Sequence, residues 1–230
     1  MLPINKTILA SLAFIVMHWK KIVEISIIPL IFTLPLLFVL GEIIELSQRL
    51  ISGDIESGVV APKNTWLYMV LFLYGYALLS INLARLVVHG ADRISVLDGV
   101  FLVSKIAKYI GLTMLVGFAV FFPVMLTGSL FVQLIVYFLI VPLTLNFINI
   151  ALDKPLNFRW NLPFVAHASL FLMQVLLPTF IALFFSVGAD YFGLSVVVTM
   201  VTQVLIFYWS GINLAFCYRI IVVDNSTQNP

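Results

Sequence analysis

WLYMVLFLYGYALLSINLARLVV, residues 66–88, runs for 23 residues with a single charged side chain, Arg85, close to its end. A bilayer core takes about 20 apolar residues of helix, so this stretch reads as a membrane span. Its composition is not exceptional for the chain. Of the 230 residues 63% are hydrophobic and only 10% charged, against about 25% charged in a soluble domain, and the mean hydropathy is +1.16. Five further runs have the same character: 22–40, 109–127, 130–152, 164–187 and 194–222. None shows the alternation of a membrane β-barrel, and backbone groups in lipid must be satisfied within the segment. The expected fold is an all-α polytopic bundle of six transmembrane helices, one domain over 1–230, with a polar outer loop at 41–64. The N-terminus lacks the pattern of a cleaved secretory signal, so the spans themselves are expected to direct insertion.

The basic residues orient the bundle, because lysine and arginine gather at cytoplasmic span ends. The even number of spans places both termini on one side. That side holds ten of the twelve basic residues against Glu24, Asp92, Asp98, Asp153 and Asp224, a net +5; the other holds Arg49 and Lys63 against five acids, a net −3. Both termini are therefore expected in the cytoplasm. Trp19, Lys20, Lys21, Arg93, Lys105, Lys108, Lys154 and Arg159 fall where lipid headgroups would meet them. Twelve basic residues against ten acidic ones give no reason to expect nucleic acid as a partner.

The tetrapeptide Ile-Asn-Leu-Ala occurs at 81–84 and again at 212–215, and INIA at 148–151 nearly repeats it. Asn82, Asn146, Asn149 and Asn213 thus lie in the inner thirds of the returning spans. They read as glue between helices, worth about 0.6–2 kcal/mol per hydrogen bond; the alternative is a polar cluster lining a cytoplasm-facing cavity. Gln133, Gln174 and Gln203 have the same two readings. Glu24, a turn inside the first span, is expected to pair with Lys20 on the same helical face.

Shifted by 87 and by 61 positions, residues 95–128 overlay 8–41 and the fifth span, which brings Gly117 close to Pro29 and onto Pro178. Three two-helix units, each weakened at one level, would follow. The stretches 8–21 and 95–108 have the charge pattern of helices lying in the interface, with Ser95 and Asp98 as a cap pair. The third unit is expected to start its helix at Pro163. Mitochondrial carriers also have three such units, but they place an acid after the odd-helix proline. PLIFT, PVMLT and PTFIA, at 29–33, 123–127 and 178–182, carry none.

The segments MHWKKIVEISII (17–28), HGADRISVLDGVFLVSKIAKYIG (89–111) and ALDKPLNFRWNLPFVAHASLF (151–171), with the outer loop, carry a closer likeness. In layout the chain resembles small six-helix bacterial inner-membrane proteins of the YciC-like type, and the membrane-anchor region fused to some glycerophosphodiester phosphodiesterases. The resemblance implies a bacterial inner-membrane protein without chemistry of its own. In the fused proteins chemistry belongs to a soluble domain, to which nothing in these residues corresponds.

The residues themselves point the same way. There is no Gly-x-Ser-x-Gly, no His-Glu-x-x-His, no phosphate-binding loop and no paired intramembrane acid. Cys217 is the one cysteine, and of His18, His89 and His167 only His89 has a neighbouring acid, Asp92. Neither catalysis nor a cofactor or metal is expected. The reading is an accessory, assembly or lipid-interacting protein whose partners are the bilayer and a membrane protein or a second copy; the alternative is a small transporter or lipid-handling protein using the asparagine layer.

Overall fold

The computed structural model describes residues 3–52, 62–91, 103–193 and 196–228, and among them there is no strand. Eight helical segments follow one another: α1 (Ile4–Ser52), α2 (Thr65–His89), α3 (Val103–Thr127), α4 (Leu130–Ile140), α5 (Leu145–Ala151), α6 (Phe164–Phe171), α7 (Leu177–Tyr191) and α8 (Val196–Gln228). A 3-10 turn, Val141–Thr144, joins α4 to α5, and a π turn, Leu172–Leu176, joins α6 to α7. These joined pairs are the fourth and fifth apolar spans. Among the described residues six helices are long and apolar enough to cross a bilayer, so the protein is a multi-pass membrane protein.

Three expectations about the spans are corrected. The first helical segment runs from Ile4 to Ser52, broken at His18, which sets the 4–17 stretch apart from the span expected from 22; residues 41–52 of the expected outer loop are helical. It bends at His18, whose backbone leaves the helical region at φ −112° and ψ 18°. The ion pair of Glu24 is made with Lys21, at 2.8 Å, while Lys20 lies over the Trp19 ring, 5.8 Å from its centroid. Three residues back along a helix is as good a position as four, and the neighbouring indole draws Lys20 away by a cation–π contact. Pro163, expected as the first residue of its helix, stands one position earlier, as the N-cap of α6. Arg93, Asp92 and the Ser95–Asp98 pair lie outside the described residues.

The core is gathered toward one end of the bundle, here termed basal, where α2, α5 and α8 finish and α3 and α6 begin. Helix α2 is central: its second half, from Gly75 to Val87, is almost wholly buried. Around it stand α1, α3, α5 and α8. Toward the opposite, distal end burial falls away. Helix α4 has no buried residue on any face, and α3 has only Val120 beyond Leu112. There the chain packs as pairs, α1 with α2, α3 with α4, and α7 with α8.

Two serines clamp α1 onto α8 on either side of the bend. Ser11 Oγ accepts from Trp209 Nε1 at 3.0 Å, and Ser26 Oγ accepts from Tyr208 Oη at 2.7 Å. Each serine hydroxyl itself donates to a carbonyl of its own helix, Ile8 or Ile22. Before the bend the buried residues are Thr7 and Ser11, whereas Leu9, Leu12, Val16 and Met17 are exposed. The arm therefore turns Thr7 and Ser11, with Ile4, Ile8, Phe14 and Ile15, to the protein and Leu9, Leu12, Val16 and Met17 outward.

Candidate functional site

Helix α2 carries Tyr76, Ser80, Leu83 and Ala84 along one side, at the spacing that aligns residues on a helical face. These residues form one wall of a cavity of about 220 Å³. Tyr109 and Val116 of α3, Tyr137 and Ile140 of α4, and Phe207, Ser210 and Leu214 of α8 supply others. Five of the six spans contribute; α1 alone does not.

Both irregular turns meet at this cavity, Val141 and Thr144 from the 3-10 turn and Gln174 and Val175 from the π turn. Proline causes the first. Pro142 has no N–H for the carbonyl of Phe138 four residues earlier, and that oxygen is instead bonded by His167 Nε2, whose ring lies tilted against Phe138 with centroids 4.5 Å apart. Near the second, Pro178 likewise leaves the Gln174 carbonyl without its ordinary helical donor. Non-helical backbone within a membrane protein is tolerated where it is buried or lines a cavity, and π turns concentrate at functional sites.

The cavity is polar at points but uncharged: no Asp, Glu, Lys, Arg or His lines it. Ser80 and Thr144 donate to carbonyls of their own segments, Tyr76 and Val141; Ser80 also stands against the Tyr109 hydroxyl, and Thr144 keeps oxygen lone pairs for a visitor. Ser210 Oγ is buried with no hydrogen-bond partner among the described residues, and Gln174 Nε2, also buried, has only the Cys217 thiol beside it. Aromatic rings complete the lining, with Tyr76 against Tyr109 and Phe207, and Tyr109 against Phe147 at 4.6 Å. An arrangement of this kind can orient a neutral molecule bearing both apolar surface and a hydrogen-bonding group. Among the described residues no group of three His, Cys, Asp or Glu could hold a metal ion.

The four asparagines are buried, but none of them lines the cavity and they do not form one cluster. Asn146 and Asn149 belong to a basal network. The Asn146 side chain bonds the backbone of Asn157 in both directions, donating from Nδ2 at 2.8 Å and accepting at Oδ1 at 2.7 Å. Asn149 Nδ2 donates to Asn146 Oδ1 at 3.0 Å, and Asn149 Oδ1 accepts from Tyr218 Oη at 2.8 Å. This pair fastens the 153–163 connection and α8 to α5, which is the expected glue. Asn82 and Asn213 depart from it, since neither amide has a hydrogen-bond partner among the described residues. Asn82 lies two turns from Gly75 on the face of α2 that meets α1, and Asn213 shares the face of α8 that carries Trp209 and Phe216 to α1. Both point away from the cavity side of their helices.

Of the expected headgroup residues, Trp19, Lys20, Lys108, Lys154 and Arg159 are exposed. Lys21 is bound to Glu24 and Lys105 to Asp153, while Lys154 also covers the Tyr218 ring at 5.4 Å. Gln133 and Gln203 lie on the distal halves, and of the three glutamines only Gln174 lines the cavity. Sequence reasoning passed over Tyr76, Tyr109, Tyr137 and Thr144. The available signal was Pro142, a proline within an apolar run with a hydroxyl two residues on. Neither a family model, nor a curated protein, nor a solved structure matches this chain.

Proposed function

We propose that the protein is a lipid-handling or small-solute-handling membrane protein whose working site is the cavity between α2, α3, α4–α5, the π turn and α8. The observation that carries this reading is the unpartnered Ser210 Oγ, with Gln174 also on the lining, in a cavity built around two helix breaks. Leaving a buried polar atom unpaired costs about 1–3 kcal/mol, a cost that a hydrogen-bonding ligand would remove. Discontinuous helices around a site within the bilayer are also a feature of transporters. With its termini in the cytoplasm, as the ten basic residues on that side favour, the protein would act in a bacterial inner membrane without catalysing a reaction.

Binding of 4-fluorophenol to the protein in phosphatidylcholine nanodiscs, followed by fluorine NMR, tests the reading. A bound resonance is expected with the wild type. It is expected to vanish in Gly211→Ile, whose side chain would fill the cavity; a Cβ at Gly211 meets only Leu83 Cδ1, at 3.8 Å, so the backbone tolerates the change. An identical signal in both proteins would assign the probe to the lipid and defeat the proposal.

The accessory or assembly reading rests on a different observation. The distal halves of α3, α4 and α8 are apolar and exposed, and a partner helix would cover them. A stoichiometric protein co-purifying with the chain under gentle extraction would favour that reading.

A further inference from the structure

The arm of α1 that precedes the bend at His18 does not continue the line of the span. Ser11 and Ser26 are fifteen residues apart, about 22 Å along a straight helix, yet their partners are the neighbouring residues Trp209 and Tyr208. The bend therefore lays the arm back against α8. Phe14 meets Phe216 with ring centroids 5.6 Å apart, three residues before the exposed Arg219, and Lys20 and Lys21 stand just past the bend. The arm thus lies level with the charged basal ends of α1 and α8.

Around the arm the faces differ in chemistry. Thr7, Ser11 and Phe14 recur at the spacing of one helical face and turn to the protein. Ile8, Leu12 and Ile15 follow one flank at the same spacing, and Lys6, Ala10 and Ala13 follow the other. Leu9 and Val16 point away from the protein, 66% and 73% exposed. Residues 4–20 contain no acid, and the exposed Lys6 and Lys20 form no ion pair among the described residues.

We infer that the arm is a membrane-surface helix fitted to an anionic lipid leaflet. Leu9, Leu12 and Val16 sit at the boundary of the acyl chains, and Lys6 and Lys20 reach lipid phosphates. A helix lying in the plane of the leaflet buries its apolar residues about 5–10 Å deep while its lysines stay among the headgroups. A second copy laid on the same face would set lysine against lysine, so the charge favours phosphate as the partner. This surface is separate from the cavity and holds whether or not the cavity takes a ligand.

The test uses the full chain with Cys217→Ala, carrying a bimane at Leu12→Cys or at Ala10→Cys, both exposed positions, in nanodiscs of mixed phosphatidylglycerol and phosphatidylcholine. Either lipid brominated on an acyl chain serves as the membrane quencher, and acrylamide as the aqueous one. Brominated lipid is expected to quench position 12 and acrylamide position 10. At equal mole fraction brominated phosphatidylglycerol is expected to associate with position 12 more strongly than brominated phosphatidylcholine, by about fivefold for each lysine. Lys6→Gln combined with Lys20→Gln should bring the two lipids level. Acrylamide quenching at both positions would put the arm in water, and lipid quenching at both would put it inside the bilayer. Protection of position 12 from every quencher would mean that a protein or a second copy covers it, and equal quenching by the two lipids without the lysine substitutions would remove the anionic preference. Each of these four results overturns the inference.

Discussion

Gly75 stands at a close approach of α2 to α1. A Cβ there would lie 2.6 Å from the Pro29 carbonyl oxygen and 3.0 Å from Thr33 Cγ2, and backbone cannot yield as a flexible side chain can. Gly75→Ala is therefore expected to destabilise the bundle by about 1–3 kcal/mol, the usual cost of overpacking, measured as a lowered thermal midpoint in detergent. The asparagines separate in the same assay. Asn149→Leu leaves Tyr218 Oη and Asn146 Oδ1 each short of a hydrogen bond and should cost about 1–3 kcal/mol. Asn82→Leu removes an amide that has no partner and should be neutral or stabilising. Equal losses at the two positions would contradict the assignment of separate roles. The repeated tetrapeptide correctly marked buried polar positions, but spacing along one helix does not say which face a residue occupies. Asn82 is one step from Leu83 and Asn213 two from Gly211, and each falls on the far side of its helix from the cavity.

At the scale of elements, the breaks define the site. His167 bonds the carbonyl that Pro142 leaves without a donor, so the two residues should be coupled. His167→Leu is expected to cost about 1–3 kcal/mol by stranding the Phe138 oxygen. Pro142→Ala restores the helical N–H, and adding it to His167→Leu should recover most of that loss in a double-mutant cycle. Additive losses would show that the histidine acts elsewhere. Apolar length was enough to place five of the six spans within a few residues, because each must bridge the bilayer. It failed at the first, where helix continues through 41–52 even though the sequence turns polar, with Glu45 and Arg49 paired one turn apart at 2.6 Å. The interruptions within the fourth and fifth spans were hidden for a related reason: hydropathy averages over a window and is blind to which carbonyl lacks a donor.

On the scale of the whole molecule, a dense basal core gives way to open distal halves, with the cavity between them. The sequence revealed the class of fold through composition, and its charges favour one orientation. Single cysteines at Lys63 and Lys154, in a Cys217→Ala background, test that orientation. A membrane-impermeant maleimide is expected to label position 63 from the side opposite the termini and position 154 only after the membrane is opened; the reverse pattern would invert the topology. The cavity was not legible, because its lining comes from five spans whose mutual rotation no single helix encodes. The most direct measurement is native mass spectrometry of the protein released gently from its own membrane, wild type beside Gly211→Ile. The wild type is predicted to retain one neutral ligand that the filled variant lacks. Identical adducts on both proteins, or a bare wild type bound to a stoichiometric protein partner, would contradict the account.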